Sequence, residues 1–151
     1  MKTTGEKQMK IFADYHTHTR YSHGKGTIQQ NVEAAQRKGL KEIAITDHGS
    51  GHFLYGVKRK DIFKMKKEIE RIRPLFPEMR VLFGLEANII GESGQLDVDE
   101  ETIRQLDILL AGYHFGAVSS NLGSTLKMHG GNILARYFPT VDRKIRVLNT
   151  D

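Results

Sequence analysis

A chain of 151 residues with 38% hydrophobic content has the apolar side chains for one core of ordinary size, and it reads as one domain. Its formal charge of +5 would suit an anionic partner, but the basic residues lie along helical faces such as Lys58-Arg59-Lys60 and Lys64-Met65-Lys66-Lys67, where a solvated face is the simpler reading. The absence of cysteine excludes disulfides, thiolate zinc sites and cysteine nucleophiles, so His, Asp and Glu remain as the strong metal ligands and the seven histidines gain weight.

No window approaches the ~20 consecutive apolar residues of a membrane helix. Residues 1–8 contain no apolar stretch resembling a signal peptide and read as a disordered tail, so a soluble, cytoplasmic chain with no membrane partner is expected.

Ile11-Phe12-Ala13-Asp14 is a short apolar run that stops at Tyr15-His16-Thr17-His18, the pattern of a buried strand delivering polar side chains at its C-terminal end. Thr27 opens a helix with a capping box to Gln30, an apolar stripe at Ile28, Val32 and Ala35, and Gly39 as its stop. Glu42 to Thr46 is the next strand, ending in Asp47-His48 before a glycine-containing loop from Gly49 to Gly56. Asp61 is expected to cap a lysine-rich helix with Ile62, Met65, Ile69 and Ile72 on its apolar side, stopped by Pro74 and Pro77. The strand Arg80 to Glu86 follows, again with a carboxylate at its end.

Beyond the loop holding Gly91 and Gly94, the acidic stretch Asp97 to Glu101 starts a short helix, and Asp107 to His114 reads as a fourth strand. Residues 115–139 read as irregular, and Thr140 to Asp151 as the start of a helix that breaks off mid-pattern. Four strand-helix units without internal repeat predict a parallel α/β sheet whose ligands gather at the C-terminal strand ends. Four parallel strands in an open run leave unprotected edges, and on that ground a C-terminal truncation is expected.

Every strand end carries a candidate ligand. His16 and His18, two apart, lie on one side of an extended backbone and can grip one ion, although His-x-His alone is a weak signal. His23 sits in the same loop beside Gly24 and Gly26, which let the chain fold back. Of Asp47 and His48, neighbours on a strand that point oppositely, His48 is the expected ligand and Asp47 the carboxylate that orients a ligating ring. Glu86 is a charge directly after an apolar strand, a costly placement that a bridging ion would resolve, and His114 completes the set. His52 and His129 lie in glycine-containing loops where exposure is the default, with His52 kept as a candidate for substrate contact.

With these residues assembled, the sequence resembles the PHP family, named for polymerase and histidinol phosphatase. The resemblance runs through Asp14-Tyr15-His16-Thr17-His18-Thr19, Tyr21-Ser22-His23-Gly24, Ile45-Thr46-Asp47-His48, Gly84-Leu85-Glu86-Ala87-Asn88 and Ala111-Gly112-Tyr113-His114-Phe115-Gly116. It covers residues 9–151, taken as the N-terminal part of a PHP domain, and the ordered set of motifs is specific where one alone is not.

The resemblance implies a distorted seven-stranded TIM-like β/α barrel holding up to three divalent ions, zinc, manganese or iron, around a phosphate ester. It implies that His16 and His18 hold one ion, that Glu86 bridges it to a second held also by His114, and that His23 with His48 holds a third. Family members add a later His-Pro histidine and a terminal Asp-x-His motif, which are expected to lie beyond this sequence.

The expected activity is hydrolysis of a small phosphate monoester, histidinol phosphate being the family's best-known substrate. Glu86 and Asp47 are its catalytic candidates, and Asp47 or His52 the candidate proton source for the leaving group. Two alternatives stand beside it. One is a nucleic-acid phosphodiesterase like the exonuclease modules of bacterial polymerases, motivated by the basic charge; the other is a catalytically incomplete module.

Overall fold

Strands β1 (Ala13–Asp14), β2 (Glu42–Ile45), β3 (Arg80–Asn88) and β4 (Ile108–Gly112) form one parallel sheet in the order β1-β2-β3-β4. Helices α1 (Ile28–Arg37), α2 (Arg59–Ile72) and α3 (Glu100–Ile103) lie in the three crossovers. A doubly wound sheet reverses its strand order part way across, whereas a β/α barrel adds each strand beside the last. The sheet follows the second pattern, so the fold is α/β and matches four consecutive units of a TIM-like barrel. This computed structural model describes residues 10–91 and 93–114, together with Ala117, Gly123 and Thr125. The expected tail 1–8, His129 and the expected helix from Thr140 lie outside the described residues. No described helix is long and apolar enough to cross a membrane.

Helix α1 forms as its sequence dictates. Thr27 Oγ1 accepts from the Gln30 backbone N–H at 3.2 Å while Gln30 Oε1 accepts from the Thr27 backbone N–H at 2.9 Å, closing the reciprocal cap. Gly39, at φ +74°, turns the chain out of the helix. Its stripe of Ile28, Val32 and Ala35 is buried in the same core as Met65, Ile69 and Ile72 of α2.

Helix α2 begins differently from expectation. Lys58 is the N-cap and Asp61 lies in the first turn, because the Asp61 backbone N–H already bonds Lys58 O at 2.7 Å and so has helical geometry. Its carboxylate instead accepts from Lys64 Nζ at 2.7 Å and sits at the positive end of the helix dipole.

The central strand β3 is buried from Val81 to Asn88, flanked by β2 and β4. It runs two residues past Glu86, because Gly84 to Asn88 pair in register with Ile108 to Gly112. Gly84 permits that approach: a Cβ there would stand 2.8 Å from Ile108 O and 2.9 Å from Thr46 Cγ2.

The first strand is shorter and less buried than its apolar run implies. Ile11 and Phe12 are 74% and 55% exposed, and only Ala13 and Asp14 pair with β2. Position in the sheet explains this, since β1 is an edge strand with one neighbour among the described residues. The fourth strand, also at an edge, is half-buried and ends at Gly112, two residues before His114. Asp107 precedes it as an anchor, accepting from the Phe83 backbone N–H at 2.9 Å and pairing with Arg73.

Candidate metal centre

The C-terminal ends of all four strands converge on Glu86. Beyond β2 the ladder continues: the Glu86 N–H donates to Asp47 O at 3.0 Å, the Gly49 N–H donates to Glu86 O at 2.8 Å, and His48 pairs with Glu86. Paired residues of neighbouring parallel strands project from the same face, which brings His48 Nδ1 to 3.1 Å from Glu86 Oε2.

Past β1, Thr17 sets the alternation. Its hydroxyl donates to Ala44 O at 2.6 Å and its N–H to Thr46 Oγ1 at 3.0 Å, so its side chain is held toward β2. His16 and His18 therefore share the other side, with Nε2 atoms 3.2 Å apart and standing 3.1 and 3.4 Å from Glu86 Oε2. From β4, His114 Nε2 reaches Glu86 Oε1 at 3.0 Å.

His23 is brought in by a knot tied around Asp47. That fully buried carboxylate accepts from the Thr19 N–H at 2.6 Å, the Thr19 hydroxyl at 2.6 Å and the Ser22 hydroxyl at 2.5 Å. The loop closes so tightly that a Cβ on Gly24 would stand 2.3 Å from His18 O. The His23 ring then lies 4.4 Å from that of His18 and 5.0 Å from that of His48. Asp47 thus bonds the loop that carries two of the imidazoles, where it was expected to orient a ring directly. With both oxygens accepting, it is also placed as an acceptor rather than as a proton source.

The short N···O distances around Glu86 resemble ion pairs, but electrostatics argues otherwise for His48. Burial pushes its imidazole down to about 4, against the opposing pull of Glu86, so the ring is neutral at pH 7. Burial, reinforced by His23, lowers His18 as well. Glu86 lies below the usual carboxylate range, because burial raises it less than His16, His48 and His114 lower it. Glu86 is thus a carboxylate beside two rings, those of His18 and His48, that burial holds toward the neutral form.

Three buried atoms, His18 Nδ1, His48 Nδ1 and Glu86 Oε2, have no hydrogen-bond partner. Buried polar atoms without partners are costly and rare, and two of these, His48 Nδ1 and Glu86 Oε2, stand 3.1 Å apart, which fits a bound cation. The donor set is imidazole nitrogen and carboxylate oxygen, suited to zinc, manganese or iron alike. Among the described residues, three overlapping groups have ligand atoms within 4.8 Å of one another: His16, His18 and Glu86; His48, Glu86 and His114; and His18, His23 and His48. Compared with the pairing expected from the sequence, His18 and His48 each belong to two groups.

His52 is not an exposed loop residue, being only 7% exposed. Its Nδ1 accepts from the Leu54 and Tyr55 backbone N–H groups at 3.3 and 3.1 Å, and its ring stacks on His48 and Tyr55 at 5.1 Å each. With Nδ1 accepting, a neutral ring carries its proton on Nε2, and burial followed by the neighbouring His114 lowers its pKa.

Two further residues belong to the surroundings of the site without having been singled out for it in the sequence. Asn88 and Asp97 are both buried and bonded to each other, Asn88 Nδ2 donating to Asp97 Oδ2 at 2.6 Å. Asn88 was findable, since it stands two positions after Glu86 on the same strand face. Asp97 was assigned to the start of a helix; the cap of α3 is Asp99, whose side chain accepts from the Thr102 N–H at 2.7 Å, and α3 itself begins at Glu100.

Known proteins resemble this chain in sequence. A chain from Acetivibrio thermocellus named a probable phosphatase is 38% identical over 107 residues, covering 70% of this chain and 42% of that one. A probable phosphatase of Caldanaerobacter subterraneus subsp. tengcongensis is 36% identical over 115 residues, covering 73% of this chain and 42% of its own length. The Bacillus subtilis DNA polymerase/3'-5' exonuclease PolX is 32% identical over 106 residues, 70% of this chain and 18% of that protein. The chain thus spans about two fifths of the length of the curated phosphatase relatives it matches. The PHP domain family matches residues 14–145, a span that includes every strand end converging on Glu86. The chain belongs to the PHP domain family.

Proposed function

We propose that this chain carries the metal centre of a phosphoesterase that hydrolyses a small phosphate monoester, in the manner of histidinol phosphatases. The observation that carries this reading is Glu86, a buried carboxylate within 3.4 Å of four imidazole nitrogens. The relatives named probable phosphatases support the same chemistry.

In this reading His16, His18 and Glu86 hold one ion and His48, Glu86 and His114 another, with His23 completing a third set. When bound, the ions would supply Lewis-acid charge for the phosphoryl oxygens and would lower the pKa of a water molecule toward neutral. Glu86 keeps the first two sets together, and Asp47 acts as a positioning residue for His18 and His23 through Thr19 and Ser22. His52 offers its Nε2–H to an anionic oxygen of the substrate.

The decisive experiment is elemental analysis of the chain purified without chelators, with hydrolysis of a generic phosphomonoester measured over added zinc, manganese and iron. Two or three ions per chain with turnover is the expected result. No bound metal and no turnover would mean that the described strands do not form a working centre by themselves. A His52→Phe variant is expected to keep its metal content while kcat/KM falls about tenfold or more, the scale of a lost hydrogen bond to a charged group. Parallel loss of metal would overturn the substrate-contact role.

A nucleic-acid phosphodiester substrate is the second reading, favoured by the exonuclease relative and the net charge of +5. It requires binding to single-stranded DNA that weakens steeply as salt rises. A flat salt dependence would exclude it.

A further inference from the structure

We propose that Asn88, itself locked by Asp97, fixes the tautomer of His114 and thereby decides which ring nitrogen is presented to Glu86. The hydrogen bonds stand independently of the metal reading; only the consequence for metal affinity rests on it.

The argument starts from Asp97, a buried carboxylate that takes three bonds: from the Asn88 backbone N–H to Oδ1 at 2.7 Å, and to Oδ2 from the Gly51 N–H at 2.6 Å and Asn88 Nδ2 at 2.6 Å. An ionised carboxylate only accepts, so the amide atom of Asn88 that faces it must be the nitrogen. Gly49 O, another pure acceptor, lies 3.4 Å from the same nitrogen. The amide orientation is therefore dictated by its partners.

Asn88 Oδ1 then faces His114 Nδ1 at 2.9 Å. A carbonyl oxygen can only accept, so His114 Nδ1 carries a proton in either charge state of the ring. In the neutral ring the lone pair falls on Nε2, the atom 3.0 Å from Glu86 Oε1. The ring is also seated sterically, because a Cβ on Gly112 would stand 2.9 Å from His114 Cε1. The opposite tautomer would put a hydrogen on Nε2 and withdraw this residue from any ion held with His48 and Glu86.

Asp97 has a second effect through the same oxygen. By holding the Gly51 N–H it ties the loop that carries His52 to the strand end that aims His114, so both histidines are registered to one carboxylate.

The test uses the whole chain with 15N-labelled histidine rings, metal-free at about pH 8, above the ordinary imidazole range. Two-bond nitrogen–proton correlations report the tautomer, with His114 assigned by its loss in His114→Gln. The wild-type chain is expected to show His114 protonated at Nδ1. Asn88→Leu is expected to move His114 toward the Nε2-protonated form and to weaken zinc binding about 10- to 100-fold, recoverable at higher zinc. Asn88→Asp, which keeps the acceptor toward His114, is expected to leave His114 protonated at Nδ1 but to lower the urea midpoint, because two carboxylate oxygens then meet where Asn88 Nδ2 bonds Asp97.

Wild-type His114 found protonated at Nε2 alone would overturn the lock whatever the metal does. Equal zinc affinity in Asn88→Leu and wild type would overturn its consequence. An Nδ1-protonated ring in a wild-type chain that binds no zinc would support the lock and remove the metal-centre reading instead.

Discussion

Glu86→Gln is expected to cost the chain two of its three ligand groups at once, since this carboxylate belongs to both the His16–His18 and the His48–His114 sets. The substitution conserves shape but removes the charge that attracts cations and places an amide N–H among the facing rings. Loss of an outer partner of a metal ligand typically costs 10- to 100-fold, so loss of the shared ligand itself should lower zinc affinity and kcat by more than about 100-fold. The metal-free variant should unfold at a lower urea midpoint near neutral pH, because a carboxylate held below its usual range in the fold contributes stability in its charged form. Elemental analysis and urea titration read the two effects separately. Undiminished metal content and turnover would remove Glu86 from the centre.

The second large effect is expected at Asp47, and it falls on stability and metal binding together. Asp47→Ala leaves the Thr19 N–H, the Thr19 hydroxyl and the Ser22 hydroxyl without their acceptor, and Thr19 is fully buried. At about 1–3 kcal/mol for each of the two buried Thr19 groups, a destabilisation of at least about 2 kcal/mol is expected. That is a large fraction of the roughly 5–15 kcal/mol that holds an ordinary domain folded. Where the variant folds, affinity should fall most for the set made of His18, His23 and His48. The set made of His48, Glu86 and His114 does not use this loop and should be spared. A uniform loss across both sets would refute a role confined to the loop.

The predictions separate because local and tertiary causes separate. The side-by-side placement of His16 and His18 was legible from period-two alternation, and it holds because Thr17 is pinned to Ala44 O and Thr46 on the opposite side. The capping box of Thr27 and Gln30 and the stop at Gly39 were legible for the same kind of reason, each depending on a few consecutive residues. Ile11 and Phe12 were misread as buried because an apolar run does not state whether its strand will be central or at an edge. Asp61 differs from a cap and Asp97 from a helix-start residue because an acidic side chain before a helical pattern suits a cap, a first turn or a buried anchor equally well.

Taken alone, the sequence determined the α/β class, the strand–helix rhythm and the presence of a ligand type at each strand end. These follow from hydrophobic period, turn chemistry and residue identity, which act over a few positions of chain. Only the tertiary structure decided which ligands share a point in space: that His18 and His48 each serve two groups, that Asp47 ties the loop, that His52 is buried with Nδ1 occupied, and that Asp97 reaches across from residue 97 to residues 51 and 88. Those outcomes depend on strand register and on backbone groups that are identical in every residue. A linear reading of side chains has no access to them.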